Sequence, residues 1–292
     1  MTNHSNFLAS EFDPASPDEA LFHVFPVPLE KTVSYGGGTA RGPAAILSAS
    51  NQLEAFDGHS YPGMAGIFTA PPINCNGSIE DVLARIEKVA ASAFSAQKIP
   101  IFLGGEHSLT QAPVRALAAA RTTENTKFGV VQVDAHADLR NEYEGTRFGH
   151  ACVMRRIVEA RVPIFQIGVR SLSREEIEFR QSAAIPHFDA ARLHTEGLPK
   201  KLLPDGFPRE IYLTFDVDGF DSSLMPATGT PEPGGLFWHH ATAVLEQLLN
   251  EGCRIIGFDV VELAPIDSLH ACDFTTAKLI YAIIGCAMRS HA

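Results

Sequence analysis

The stretch FGVVQVDAHAD, residues 128–138, joins an almost entirely apolar run to a cluster of acidic and imidazole side chains. Its first part is typical of a short β-strand that is covered on both sides, as strands of a parallel sheet are. The polar part follows directly at the carboxyl end of that strand. In open α/β folds ligands bind at this end of the strands, so the stretch predicts both a fold class and a site.

Similar apolar runs recur along the chain and alternate with segments of helical spacing. The further predicted strands are 21–29, 99–105, 162–169, 211–217 and 254–261. The predicted helices are 42–56, 79–94, 109–120, 148–160, 238–250 and 274–289. This alternation predicts an α/β fold with a mostly parallel sheet between helical layers. Residues 57–77 are rich in Gly, Pro and Asn and are predicted to be a loop.

Composition is that of an ordinary soluble globular protein: 292 residues, 45% hydrophobic and 20% charged. We expect residues 20–292 to form a single domain and residues 1–19 to be a polar tail or arm. The five cysteines are scattered and form no CxxC pair, which indicates buried or free thiols in a reducing compartment.

The net charge of −11 disfavours a nucleic-acid partner and is compatible with a cationic ligand. The first twenty residues lack the basic start and apolar centre of a signal peptide. The apolar run LIYAIIGCAM, 279–288, is too short to cross a bilayer. A cytoplasmic protein without a membrane partner is therefore predicted.

Candidate metal ligands follow three of the predicted strands. Residues two apart in extended chain point to the same side, which brings the side chains within each motif together. The glycines of GGEH, 104–107, allow a tight turn that can aim its histidine into the same crevice. The candidates are His107, Asp134, His136, Asp138, Asp216 and Asp218.

Two imidazoles and four carboxylates are too many for one catalytic metal and suit two metals that share bridging carboxylates. This donor set favours Mn²⁺, with Fe²⁺, Co²⁺, Ni²⁺ and Zn²⁺ less well suited. Four aspartates balance the charge of two divalent ions, and a bridging hydroxide would leave the cluster at −1, which favours a cationic substrate. Any one motif could arise by chance, because an Asp at a strand end often caps the next helix.

Four motifs in the same order resemble the signatures of the ureohydrolases, the family of arginases and agmatinases. They are GGEHSL (104–109), DAHADLR (134–140), FDVDGFDSSLMPATGTPEPGG (215–235) and DVVELAP (259–265). The resemblance covers most of residues 31–290 and is strongest to bacterial agmatinases. It implies the arginase/deacetylase-like three-layer α/β/α fold with about eight strands, two Mn²⁺ ions, and a homo-oligomer, trimeric or hexameric.

The resemblance also implies how the two ions are held. One would be bound by His107, Asp134, Asp138 and Asp216, and the other by Asp134, His136, Asp216 and Asp218. Asp134 and Asp216 would then bridge the pair.

Three residues are assigned catalytic roles. Glu262 could pair with a guanidinium group by a planar two-point hydrogen bond. Asp138 could accept a hydrogen bond from the attacking hydroxide. His150 matches a family histidine and could shuttle a proton, although its neighbours depart from the family pattern. The nine other histidines are interpreted as structural.

The predicted reaction is hydrolysis of a guanidino compound to urea and an amine, with agmatine, which yields putrescine, as the first candidate. After Asp138 the chain lacks the Asn and Ser pattern with which arginases hold a carboxylate. An acidic rim of Glu142 and Glu144 would suit the ammonium of agmatine, although both could equally lie in a solvated loop. Guanidinobutyrate, arginine and other guanidino substrates stay open.

Two alternatives belong to other classes. A deacetylase of the same fold typically uses one metal, whereas this chain has a second set of ligands. A non-catalytic relative would not be expected to keep all six ligands with Glu262 and His150. A metallophosphatase would need a GNH-type motif, which the sequence lacks.

Overall fold

A computed structural model describes residues 6–124 and 127–291. Eight strands are present in this part of the chain: β1 Phe22–Val27, β2 Ile67–Thr69, β3 Ile99–Gly104, β4 Gly129–Val133, β5 Ile164–Ile167, β6 His187–Phe188, β7 Glu210–Asp216 and β8 Arg254–Val261. The α-helices are α1 Gly42–Ser50, α2 Ile79–Ser95, α3 Gln111–Glu124, α4 Val153–Glu159, α5 Arg174–Ser182, α6 Ala190–Glu196, α7 Trp238–Asn250 and α8 His270–Ser290.

The strands form one sheet in the order β2-β1-β3-β8-β7-β4-β5-β6, and every pairing is parallel. Helices cover both faces. Val131 and Val133 point into the core shared with α1, α6, α7 and α8, whereas Val130, on the opposite face, packs with α3 and α4. α2 covers the same face as α3, over β1 and β3. The predicted three-layer α/β/α fold is confirmed.

Local signals explain where several helices begin. The Ser78 hydroxyl accepts a hydrogen bond from the backbone N–H of Asp81, and the Asp81 carboxylate accepts one from Ser78 N–H, which together cap α2. Ser173 and Glu176 form the same reciprocal cap at α5. Pro43 lies in the first turn of α1, where its missing N–H has no cost.

The fold differs from the sequence prediction at its edges. β2 lies inside residues 57–77, which the sequence predicts to be a loop, and pairs with β1 as an edge strand. β6, α5 and α6 were not predicted either. The two missed strands have three and two residues, too few to show a periodic pattern.

Part of the predicted polar arm packs against the domain. Phe7 and Leu8 are buried, and Leu8 N–H donates to the Ser50 hydroxyl at the end of α1. The apolar pair in an otherwise polar stretch explains this contact, because burying two large side chains offsets the cost of ordering the segment. Residues 1–5 of the arm, which include His4, lie outside the described residues.

α8 is the one helix in the described part of the chain that is long and apolar enough to cross a membrane. Of its most apolar window, 61% is buried inside the protein, where it packs against α1, α7 and β8. This is the position of a core helix in a three-layer fold. The apolar surface of α8 is thus covered by these neighbouring elements of the same chain.

The four central strands determine where the site forms. β3, β8, β7 and β4 are neighbours in the sheet, and parallel pairing puts their carboxyl ends at one edge. GGEH, DVVE, FDVD and DAHAD follow or end these strands. Gly105 permits the tight exit from β3, since a Cβ there would lie 2.0 Å from the Leu29 carbonyl oxygen.

Candidate metal centre

The imidazole of His107 lies at the middle of the candidate site. Its Nδ1 is 3.1 Å from Asp134 Oδ2, 3.0 Å from Asp138 Oδ2 and 3.3 Å from Asp216 Oδ2. Despite this proximity, the buried Nδ1 atom makes no hydrogen bond of acceptable geometry. Three carboxylate oxygens and an imidazole nitrogen therefore surround one small volume.

The hydrogen bond made by the other ring nitrogen, Nε2, shows that this atom carries a proton. His107 Nε2 lies 2.8 Å from Thr214 Oγ1, and the Thr214 hydroxyl donates to Asp259 Oδ1 at 2.6 Å. Because Thr214 donates its only hydroxyl proton to Asp259, its oxygen must accept the hydrogen bond from His107 Nε2–H. Nδ1 is then the ring atom that faces the three carboxylates. Burial lowers the pKa of His107, but the proximity of Asp134, Asp138 and Asp216 outweighs it and raises this pKa well above its ordinary value. The space between Nδ1 and the three oxygens thus favours a positive charge, either a proton or a metal cation.

The DAHAD and FDVD segments turn in the same way. Asp134 Oδ1 accepts from the backbone N–H of His136 at 2.6 Å, and Asp216 Oδ1 accepts from Asp218 N–H at 2.8 Å. In each case the carboxylate is anchored by the residue two positions later. The second oxygen, Oδ2, is left facing His107.

A second group of donors adjoins the first. His136 Nδ1 lies 2.9 Å from Asp218 Oδ2, and the Asp218 Oδ1 atom accepts from Ala135 N–H. One donor atom each from Asp134, His136 and Asp218 lie within 4.8 Å of one another, as do those of His107, Asp134 and Asp216. Asp134 is common to both groups, as expected of a bridging ligand. Asp216 falls only in the first group.

Burial and the neighbouring charges shift the pKa values of the clustered carboxylates. Burial, with the charges of Asp138 and Asp218, raises the pKa of Asp134 to about 7. Burial also raises the pKa of Asp216 well above its ordinary value, and Asp218 and Asp134 add to this. Burial acts in the same direction on Asp218, but the partner His136 outweighs it and lowers the pKa of Asp218 to about 2. The hard oxygen and imidazole donors, and the negative charge they concentrate, fit divalent cations.

Two residues at the site have a left-handed backbone. Asp138 has φ 54° and Glu262 has φ 66°, a region that side chains other than Gly rarely adopt. Such strain of about 1–3 kcal/mol persists only where the surroundings enforce it. At Asp138 the turn directs the carboxylate back toward His107.

Glu262 is buried next to the metal-ligand cluster. Its Oε1 atom accepts from the backbone N–H of His107 at 2.6 Å, and its own N–H donates to the Gly105 carbonyl. Burial raises the pKa of Glu262 well above its ordinary value. Among the described residues Oε2 has no hydrogen-bond partner, so this oxygen is free for a ligand.

His150 is held by a second buried carboxylate, Glu106. Its ring Nδ1 and its backbone N–H lie 3.2 and 3.0 Å from Thr32 Oγ1, and the Thr32 hydroxyl donates to Glu106 Oε1. Thr32 must therefore accept from Nδ1–H, which leaves Nε2 as the basic atom of the ring. Glu106 also accepts from the backbone N–H of Lys31 and of Thr32 and from Ser108.

A cavity of about 350 Å³ opens beside the cluster. His136, Asp138 and His150 form part of its wall. Arg140, Tyr143, Glu176, Thr230 and Glu232 contribute other parts of the wall. Its volume suits a small molecule.

The structure does not bring Glu142 and Glu144 to this cavity. Both are exposed, and neither belongs to its wall. A tight turn causes this: Tyr143 and Thr146 exchange backbone hydrogen bonds, and Glu144 has φ 47°. The turn sends Tyr143 inward and the two glutamates outward. The glutamates that the cavity wall does contain are Glu176 and Glu232.

Arg170 connects the segments around the site and was not predicted. Its guanidinium donates to six carbonyl oxygens: those of Gly168, Asp218, Gly219, Phe220, Glu232 and Pro233. It thereby holds the end of β5, the turn after Asp216 and the loop at 232–233 together. An arginine directly after the apolar strand QIGV is the sequence signal that could have identified it, as a buried cation requires several partners.

Comparison with known proteins agrees with the geometry. The profile of the arginase family matches residues 20–288. The chain is 37% identical over 289 residues to N(1)-aminopropylagmatine ureohydrolase of Synechocystis, an alignment that covers 96% of this chain and 92% of that protein. It is 34% identical to agmatinase of Pyrococcus horikoshii, with 93% of each chain covered.

A solved structure has the same architecture. The agmatine ureohydrolase of Thermoplasma volcanium superposes with a TM-score of 0.87 at 31% sequence identity. The superposition covers 100% of this chain and 97% of that one.

Proposed function

This chain belongs to the arginase family and is a ureohydrolase, and from that premise we propose that it uses two Mn²⁺ ions to cleave agmatine to putrescine and urea. The observation that carries the proposal is the convergence of His107 Nδ1 with oxygens of Asp134, Asp138 and Asp216 within 3.3 Å. Such a set of donors is unfavourable by itself and becomes favourable around a cation.

The proposed ligand sets are those that the family resemblance implies. One ion would be held by His107, Asp134, Asp138 and Asp216, and the other by Asp134, His136, Asp216 and Asp218. Carboxylates with two imidazoles favour Mn²⁺ among the divalent ions. When bound, the pair would lower the pKa of a water molecule toward neutrality and so supply the nucleophile.

The protein's own residues would bind and orient the substrate. Glu262, with Oε2 free, would accept hydrogen bonds from the guanidinium, which stays protonated at all physiological pH values. Asp138 would accept a hydrogen bond from the attacking water and aim it at the guanidinium carbon. The C–N bond to the amine would then break as the carbon-bound hydroxyl becomes the urea carbonyl, and the proton of that hydroxyl would pass through His150 Nε2 to the leaving nitrogen.

A second substrate has specific support. Synechocystis and Thermus thermophilus relatives 37% and 36% identical to this chain are N(1)-aminopropylagmatine ureohydrolases. That compound is agmatine with a longer cationic tail. The cavity of about 350 Å³ has room for a chain of this kind.

Urea release after Mn²⁺ reconstitution tests the proposal. The panel is agmatine, N(1)-aminopropylagmatine, arginine and guanidinobutyrate, with protein stripped by a chelator as the control. We expect activity only with metal, and highest kcat/KM with one of the first two compounds. Preference for arginine or guanidinobutyrate would contradict the substrate assignment. Metal binding without turnover of any compound would favour a non-catalytic relative or a deacetylase.

Assembly and location form part of the same proposal. We expect a cytoplasmic homo-oligomer, a trimer or hexamer, that acts on a small cationic guanidino substrate and binds neither nucleic acid nor membrane. Light scattering of the purified protein would test the assembly, and a monomer would contradict it.

A further inference from the structure

We propose that Glu232 determines substrate specificity by binding the cationic nitrogen at the far end of the substrate from its guanidinium. The site then selects guanidino compounds with a distal ammonium over those that end in a carboxylate or an uncharged group. This inference rests on the proposed function and adds the residue that recognises the distal end of the substrate.

Glu232 shares a cavity with the candidate catalytic residues. It is half-buried in the wall that also contains His136, Asp138 and His150. A molecule with one end at the metal-ligand cluster would therefore reach the Glu232 part of the same space with its other end. Partial burial strengthens any ion pair formed there, because water screens it less.

The carboxylate of Glu232 has no partner in the described part of the chain. Arg170 lies close to it, but all of that guanidinium's N–H groups are used on backbone carbonyls. The charge of Glu232 is thus available to a ligand. An acidic group at the wall of a cavity that has no cation in hydrogen-bond contact is a feature that a cationic ligand would complete.

The other charged side chains of the wall are already occupied. Glu176 accepts from Leu139 N–H and from both Ser173 N–H and its hydroxyl. Arg140 lies 3.8 Å from Glu176 and stacks over the Tyr143 ring at 4.8 Å. Arg140 and Glu176 balance one another, which leaves Glu232 as the carboxylate of the wall, outside the metal-ligand cluster, that no hydrogen-bond donor of the described residues engages.

The backbone that carries Glu232 is fixed in advance. Pro231 and Pro233 flank it and restrict φ on both sides. The Glu232 carbonyl accepts from Arg170 at 2.8 Å, and Asp221 Oδ2 accepts from the N–H groups of Gly234 and Gly235. A carboxylate on such a rigid loop loses little entropy on binding, which raises both affinity and selectivity.

The charge predicts the direction of selectivity. A distal ammonium would form an ion pair with Glu232, whereas a distal carboxylate would be repelled by the same oxygen atoms. Substrate discrimination would therefore depend on one side chain outside the metal-ligand cluster. Agmatine and N(1)-aminopropylagmatine both satisfy the requirement.

The test compares Glu232→Gln with two matched variants in the Mn²⁺-loaded enzyme. Glu54→Gln removes the same charge from an exposed position after α1 and outside the cavity wall. Glu232→Asp keeps the negative charge on a side chain that is one methylene shorter. The substrates are agmatine, 4-guanidinobutyrate and butylguanidine, which has no charge at its far end.

We expect Glu232→Gln to lower kcat/KM for agmatine about ten- to a hundredfold, mainly through KM, and to change that for butylguanidine less than about twofold. Glu54→Gln should match the wild type, and Glu232→Asp should recover part of the loss. Metal content should be equal in all four proteins. Equal losses for agmatine and butylguanidine, or no loss for agmatine, would overturn the assignment of Glu232.

Calorimetry separates this inference from the proposed function. Putrescine, which has the distal ammonium but no guanidinium, is titrated into the metal-loaded wild type and Glu232→Gln. Binding that weakens in the variant supports the role of Glu232 even if urea release is absent. Urea release from wild-type enzyme with equal putrescine binding in both proteins would refute the role of Glu232 alone.

Discussion

His107 and Thr214 are joined across the sheet by a hydrogen bond of 2.8 Å between the imidazole Nε2 and the threonine Oγ1. His107 follows β3 and Thr214 lies on β7, so the bond spans β8, whose Asp259 accepts the Thr214 proton. Asp259 also accepts from the Tyr212 hydroxyl and is fully buried. Residues of the three strands thus hold the His107 ring with its Nδ1 atom toward the site.

Thr214→Val should weaken Mn²⁺ binding about ten- to a hundredfold, since it removes the acceptor that sets the tautomer of His107. Competition between the protein and a chelator measures the affinity. Thr214→Ser keeps the hydroxyl and should bind metal nearly as the wild type does. Equal affinity in the valine variant would show that Thr214 does not orient His107.

Asp134→Ala and Asp216→Ala should each abolish urea release and lower the metal content, because each removes a proposed bridging carboxylate. Elemental analysis of the purified variants, beside the activity assay, distinguishes lost metal from lost chemistry. Asp205→Ala, at an exposed position, is the control. Full metal occupancy in both site variants would contradict the bridging assignment.

Glu262→Gln should reduce kcat about a hundredfold or more while the metal content stays near normal. The amide keeps an acceptor but loses the charge that pairs with guanidinium. Steady-state kinetics and elemental analysis on the same preparation test this. Wild-type kcat in the variant would exclude the proposed contact.

Arg170→Lys should destabilise the protein by about 3 kcal/mol, since an ammonium cannot serve six carbonyl oxygens on three segments. KM for agmatine should also rise, because the loop that carries Glu232 loses hydrogen bonds from Arg170 that hold it in place. Urea denaturation measures the first effect. Arg174→Lys, on an exposed helical position, should change neither quantity.

The cysteines should be unreactive in the native protein. None is paired, and four of the five are buried. Burial raises the pKa of Cys75 and of Cys152 to about 11, and that of Cys286 to about 12. At pH 8 a thiol of pKa 11 is only about one-thousandth thiolate. A colorimetric thiol reagent at pH 8 should react slowly before unfolding and rapidly with five thiols afterwards. Rapid native labelling would refute the burial.

The central strands could be predicted from the sequence because their apolar runs reflect burial on both faces. β8 was predicted with the bounds that the structure gives, 254–261. The edge strands β2 and β6 could not, since their residues pair on one side only and are few. The expected total of about eight strands came instead from the family resemblance, because the periodicity of the sequence does not reveal such short strands.

Side chains that face the site were easier to predict than those that support it. Motif spacing brought His107, Asp134 and Asp216 together, because extended chain and parallel pairing determine where they lie. Arg170 and Asp259 act through contacts between segments 45 to 63 residues apart, for which local sequence gives no register. The outward position of Glu142 depends on a turn that its sequence does not specify.

The sequence order of the strands and their spatial order differ, and this has a consequence for biosynthesis. β8 lies between β3 and β7, although it is translated last among the eight strands. A nascent chain on the ribosome can therefore display every candidate ligand up to Asp218 while the strand that links the two halves of the sheet is still unmade. We therefore expect full-affinity capture of the proposed ions only after translation has passed residue 261.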